Sequence, residues 1–199
     1  MRLLKAISLL LLTIPGASAD ERTVPEGIEL NATIEYYDVS APSFAKLAKR
    51  IKAAAPPDEN GKTSVSSTQS TWKVGISTTT LPVQCRTESV TMKLNVVTTM
   101  PRWLEFDKAP HLEQDAWEKY QAGLRAHADG HIDIDVNTVS AIRDAILSVP
   151  SAANCDVLKS AMAQEASNAE ASFTKAHANY DKETKDGRSQ GALLEKQLD

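Results

Sequence analysis

The sequence predicts an α+β protein: a small antiparallel sheet of about three strands, packed against one long helix and further helices. Two observations carry this. In residues 25–39 and 62–99 apolar side chains alternate with polar ones, and the second stretch is rich in threonine, serine and valine. From Pro110 onward the apolar spacing lengthens to that of a helix, and alanine becomes frequent. Strands followed by helices, rather than alternating with them, mark the segregated α+β class.

Residues 1–19 stand apart. Arg2 and Lys5 precede an apolar, leucine-rich run over Ala6–Ile14, and Ala17-Ser18-Ala19 has the small residues of a cleavage site. This is the pattern of a secretory signal peptide, too short for a lasting membrane span. Residues 20–199 then form a single secreted or periplasmic domain, a length suited to one core. The whole chain carries a formal charge of −4; without its leader it has 20 basic and 26 acidic side chains, a charge of −6. That net negative charge argues against a nucleic-acid partner, which would need a basic face.

The first strand runs through Ile28, Leu30, Ala32 and Ile34 to Tyr36-Tyr37-Asp38-Val39. A helix follows from Ser40-Ala41-Pro42, with serine near its cap and proline in its first turn. Phe44, Leu47, Ala48 and Ile51 form its buried stripe, and Lys46, Lys49, Arg50 and Lys52 its solvated face. Lys62–Thr80 and Gln84–Thr99 read as two more strands, turning near Thr80-Leu81-Pro82. Pro101 is expected to end their pairing, because it has no N–H to give a ladder.

From Pro110 a long helix carries Leu112, Ala116, Tyr120, Leu124 and His127 on or near one face. Its pattern continues through His131 to Val139, Ile142, Ile146 and Leu147, and stops at Val149-Pro150. A last helix is expected from Asn154 to about Tyr180, followed by a polar segment from Lys182 to Asp199. Cys85 and Cys155 are the two cysteines of the chain. In an oxidising compartment an even pair reads as one disulfide, closing a loop of about 70 residues.

The chemistry concentrates at His127-Ala128-Asp129-Gly130-His131. Histidines four apart in a helix leave the same face one turn apart, which is how a helix offers two nitrogens to zinc. Zinc peptidases of the His-Glu-x-x-His type place a general base directly after the first histidine, and here that position holds Ala128. Asp129 is no substitute, since it lies about 200° around the helix from His127.

Further pieces accompany this motif in order: Tyr36-Tyr37-Asp38-Val39, Thr71-Trp72, Cys85, Pro101-Arg102-Trp103, Trp117, Cys155 and Tyr180 through Ala192. Together they resemble the predicted secreted zinc-dependent proteases of bacteria, a family of unknown physiological role, over nearly the whole mature chain. The resemblance implies that His127 and His131 ligate zinc on a zincin-like active-site helix, with peptide hydrolysis as the family's reaction. Its pattern reads His-Glu-x-Gly-His, then Tyr-Asp-x-x-Thr-x-His-Gly. This chain departs from it twice, with Ala128 for the glutamate and Asp186 for the late histidine. A carboxylate ligates zinc, so Asp186 is a candidate third ligand beside His127 and His131, and Asp135 and His177 are others. Without the base, peptidase activity is expected to be impaired. The alternative is a non-catalytic exported protein that binds a partner or holds a metal on the same fold.

Overall fold

The computed structural model describes residues 22–57, 61 and 63–197. The expected signal peptide, 1–19, lies outside the described residues. Strand β1 (Ile28–Val39) leads into helix α1 (Phe44–Ala54), then β2 (Ser67–Leu81) and β3 (Gln84–Trp103). Helices α2 (His111–Ser148), α3 (Cys155–Glu170) and α4 (Phe173–Thr184) complete the order, with short 3-10 turns at Arg188–Gln190 and Leu194–Lys196. No helix among the described residues is long and apolar enough to cross a membrane.

The α+β class and the three strands are as expected, but the sheet is mixed rather than antiparallel. Its order is β1-β3-β2. β2 and β3 form the antiparallel hairpin, while β1 runs parallel to β3 from Ile28 opposite Met92 to Val39 opposite Trp103. The path from β1 to β3 contains α1 and all of β2, enough chain for the crossover that a parallel pair needs. β3 takes the centre because its alternation is the longest: Val90, Met92, Leu94, Val96 and Met100 are all buried on one face.

Pro101 does not end β3. β2 pairs no further than Ser67 opposite Thr99, so beyond that point no neighbour on that side needs the missing N–H. The Pro101 carbonyl accepts instead from Gln121 Nε2 at 3.0 Å. The helix expected to begin at Ser40 begins at Phe44, with Pro42 outside it and Ser43 at the cap. Ser43 makes no side-chain cap, and Glu113 Oε2 on α2 accepts from Phe44 N at 3.0 Å, so a carboxylate meets the helix start from outside. The last helix is two helices, broken at Ala171-Ser172 between α3 and α4.

Helix α2 is continuous for 38 residues through Gly130 and serves two cores. Its first half packs Ala116, Trp117, Tyr120 and Leu124 with α1 and the far end of the sheet. Its second half packs Ile132, Val136, Val139, Ile142 and Ile146 with β3 and α3. His127 and His131 fall at the junction. The Cys85–Cys155 disulfide is formed, across 70 positions, and Cys85 also exchanges backbone hydrogen bonds with Ala152. Trp103 and Trp117 are buried, in agreement with a packing role for these aromatics.

Candidate metal centre

His127 and His131 project from α2 towards α4, as the four-residue spacing requires. α4 answers with His177, Tyr180, Asp181 and Thr184, a run spaced so that all four lie on or near one helical face. The Nε2 atoms of His127 and His131 lie 3.2 Å apart, and Asp181 Oδ1 is 3.3 Å from the first and 3.0 Å from the second. These three atoms form the one group of metal-ligand type found among the described residues.

The spacing is informative. Ligands about 2.0–2.1 Å from a tetrahedral ion are about 3.3 Å from one another, close to all three distances here. The hydrogen-bond network agrees. Gln190 Nε2 donates to the Tyr180 hydroxyl at 2.9 Å, which turns Gln190 Oε1 towards His127 Nδ1 at 3.1 Å. An amide oxygen accepts, so His127 carries its proton on Nδ1 and leaves Nε2 bare. His177 Nε2 faces a carboxylate oxygen of Asp135 at 2.9 Å and must donate to it. With the His177 ring neutral its Nδ1 is an acceptor, and His131 Nδ1, 2.8 Å away, donates. His131 Nε2 is bare as well. In this set of tautomers two nitrogen lone pairs and a carboxylate converge, an arrangement that a cation resolves. Burial pushes the His131 pKa below its ordinary value; the Asp181 carboxylate opposes this and the neighbouring histidines add to it, and a lowered value favours the neutral, ligating form.

Local packing explains why the motif reads as it does. The Tyr180 ring lies parallel to His127, 5.2 Å between centroids with 10° between planes, and edge-on to His131 at 5.0 Å. A Cβ at Gly130 would fall onto the Tyr180 hydroxyl and ring, so the glycine is what lets Tyr180 lie on the helix. Gly187 has φ +79°, a left-handed backbone, and a Cβ there would come 2.9 Å from His127 Cγ. The segment after Lys182, expected as a polar tail, is therefore part of the site's wall.

Asp186, the expected third ligand, sits in a left-handed turn at φ 54° and lines the same groove, but its carboxylate is outside the ligand group; the structure brings Asp181 there instead. Asp135 is buried one turn beyond His131 and meets His177, not the three ligand atoms. His111 is exposed at the start of α2. Asp129 points to solvent and pairs with Arg22 at 2.8 Å. Ala128, the residue after His127, is buried and lines the groove with only a methyl group to offer. The groove itself encloses about 1080 Å³, and edge strand β2 borders it from Ser67 to Thr71 opposite the histidines.

The spacing of His177, Asp181 and Thr184 at i, i+4 and i+7 is the signal by which sequence reading would have found Asp181. Residues 34–188 match the model of a family described as a bacterial protein of unknown function, DUF922. No curated protein and no solved structure matches the chain significantly.

Proposed function

We propose that this chain, which belongs to the bacterial DUF922 family of unknown function, is an exported protein that binds zinc through His127, His131 and Asp181 without efficiently hydrolysing peptides. The observation that supports zinc most is the 3.0–3.3 Å triangle of two imidazole nitrogens and a carboxylate oxygen. Two imidazoles and one carboxylate are a donor set common to zinc, and three protein ligands leave a fourth position for a small molecule. Export is supported by the leader-like residues 1–19 and by the disulfide.

Ala128 argues against proteolysis. A zinc peptidase needs a base positioned to take the proton of the attacking water, and losing one costs about 10²–10⁴-fold in rate. A second reading keeps a slow peptidase. The groove favours it, because an extended peptide laid along β2 would pass the histidines.

Zinc content after dialysis against a weak chelator tests the site. The parent and Asp186→Ala should retain about one zinc per chain, and His131→Ala and Asp181→Ala should lose it. A parent without zinc would overturn the reading; loss in Asp186→Ala with retention in Asp181→Ala would restore Asp186 as the ligand. Peptide cleavage by the zinc-loaded parent, abolished by chelator, would favour the second reading. Activity that appears only in Ala128→Glu would identify a silenced enzyme.

A further inference from the structure

We infer that Asp135 and His177 are positioning residues for the metal centre, an Asp135–His177–His131 relay that fixes the tautomer and orientation in which His131 ligates. The inference rests on the zinc reading above. His127, His131 and Asp135 follow one another at intervals of four along α2, so all three point to the same side. One straight helix cannot gather them on a single ion, because about 12 Å of rise separates the first from the last. His177 on α4 bridges the gap. Its Nε2–H donates to Asp135 Oδ1 at 2.9 Å, and its Nδ1 accepts from His131 Nδ1 at 2.8 Å.

The ring geometry shows that this second contact is directed. The two imidazole planes differ by 9°, and their centroids are 5.0 Å apart while the nitrogens are 2.8 Å apart. The nitrogens therefore point at each other along nearly coplanar rings, which is hydrogen bonding and not face-to-face stacking. Phe173 packs edge-on to His177 at 4.5 Å, and Trp72 of β2 packs edge-on to Phe173 at 5.2 Å. The linking ring is thus held by the sheet as well as by its hydrogen bonds.

Asp135 is a poor choice for packing alone. It is 1 % exposed, and its Oδ2 is buried with no hydrogen-bond partner. A buried carboxylate with an unsatisfied oxygen destabilises a fold, and a side chain kept at that cost calls for a role beyond filling space. Charge supplies one. With Asp181 in the ligand set and Asp135 behind His177, two carboxylates match one dication. Outer partners of this kind orient ligating histidines, and their removal weakens metal binding about 10- to 100-fold.

The test compares zinc affinity, by competition with a chelating dye, for the parent, His177→Ala, Asp135→Asn and the double variant. Each single variant should bind about 10- to 100-fold more weakly. The double variant should match His177→Ala within about twofold, because Asp135 acts only through His177. A readout that packing alone would not move is the ¹⁵N spectrum of the imidazoles in metal-free protein. His131 should be protonated at Nδ1 in the parent and lose that single tautomer in His177→Ala. Single variants within twofold of the parent's affinity, or a parent His131 protonated at Nε2, would overturn the relay while leaving the zinc site standing. A parent that binds no zinc would overturn both. Should His177→Ala not fold, the near-isosteric Asp135→Asn decides.

Discussion

Gly130 shows how a single residue's role is set by its neighbour and not by its own preferences. In the interior of a helix, alanine is more favourable than glycine by about 1 kcal/mol, so propensity alone makes Gly130→Ala stabilising. Packing opposes this, because the added methyl would occupy the place of the Tyr180 ring. Overpacking of this kind costs about 1–3 kcal/mol, the larger effect. Gly130→Ala should therefore lower the urea unfolding midpoint; a raised midpoint would show that Tyr180 moves aside freely. The histidine pair was legible from its spacing alone, and the structure brings the two Nε2 atoms to 3.2 Å. Asp181 was not picked out, because the last helix was expected to end near Tyr180, whereas α4 runs on to Thr184 and puts Asp181 one turn after His177. Asp186 then inherited the ligand's role from the motif it interrupts.

Among the elements, the entry to α1 is held by carboxylates that the sequence places far from it. Glu105, just after β3, accepts from the Ser40 hydroxyl at 2.5 Å and from Ala41 N at 2.9 Å, anchoring the entry to α1. The Ser40 hydrogen bond, with help from the Ala41 N–H, holds its carboxyl below the ordinary 4.5. A carboxyl lowered on folding stabilises fully above its unfolded value, and this is lost as the pH falls through the lower folded value. Glu105→Gln should unfold more easily than the parent at pH 7, and the two should converge as the pH drops below about 4.5. A gap that persisted unchanged to pH 3 would assign the difference to geometry and not to charge. The strands were readable because alternation is a local property. The parallel pairing of β1 was not, since partner and direction depend on which strand the helices cover. The long alternation of β3 was the available clue to its central place.

The whole molecule rests on two cores bridged by α2, with the disulfide clamping the sheet-and-α3 core. Closing a loop of 70 positions stabilises by about 4 kcal/mol in the chain-entropy model. A Cys85→Ser, Cys155→Ser double variant should lose about that much in denaturant titration. A loss under 1 kcal/mol would mean that the backbone bridge between Cys85 and Ala152 holds the junction unaided. That these two cysteines pair was legible from their even count and the compartment expected from the leader-like residues. That the histidines lie where the two cores meet was not, because the division of α2 between them appears only once α1 and α3 have chosen opposite halves of it.

The order of the ligands along the chain has a consequence in time. His127 and His131 sit together on α2, but Asp181 and Gln190 lie beyond α3, so the site closes only when a segment about 50 residues further along the chain has folded back. Until those late residues dock, the histidine pair has neither its carboxylate nor the amide that fixes the His127 tautomer. Such a half-built pair holds a metal poorly. On the zinc reading proposed above, capture of an ion would wait until α4 has docked, and a loaded centre would report that the two ends of the domain have found each other.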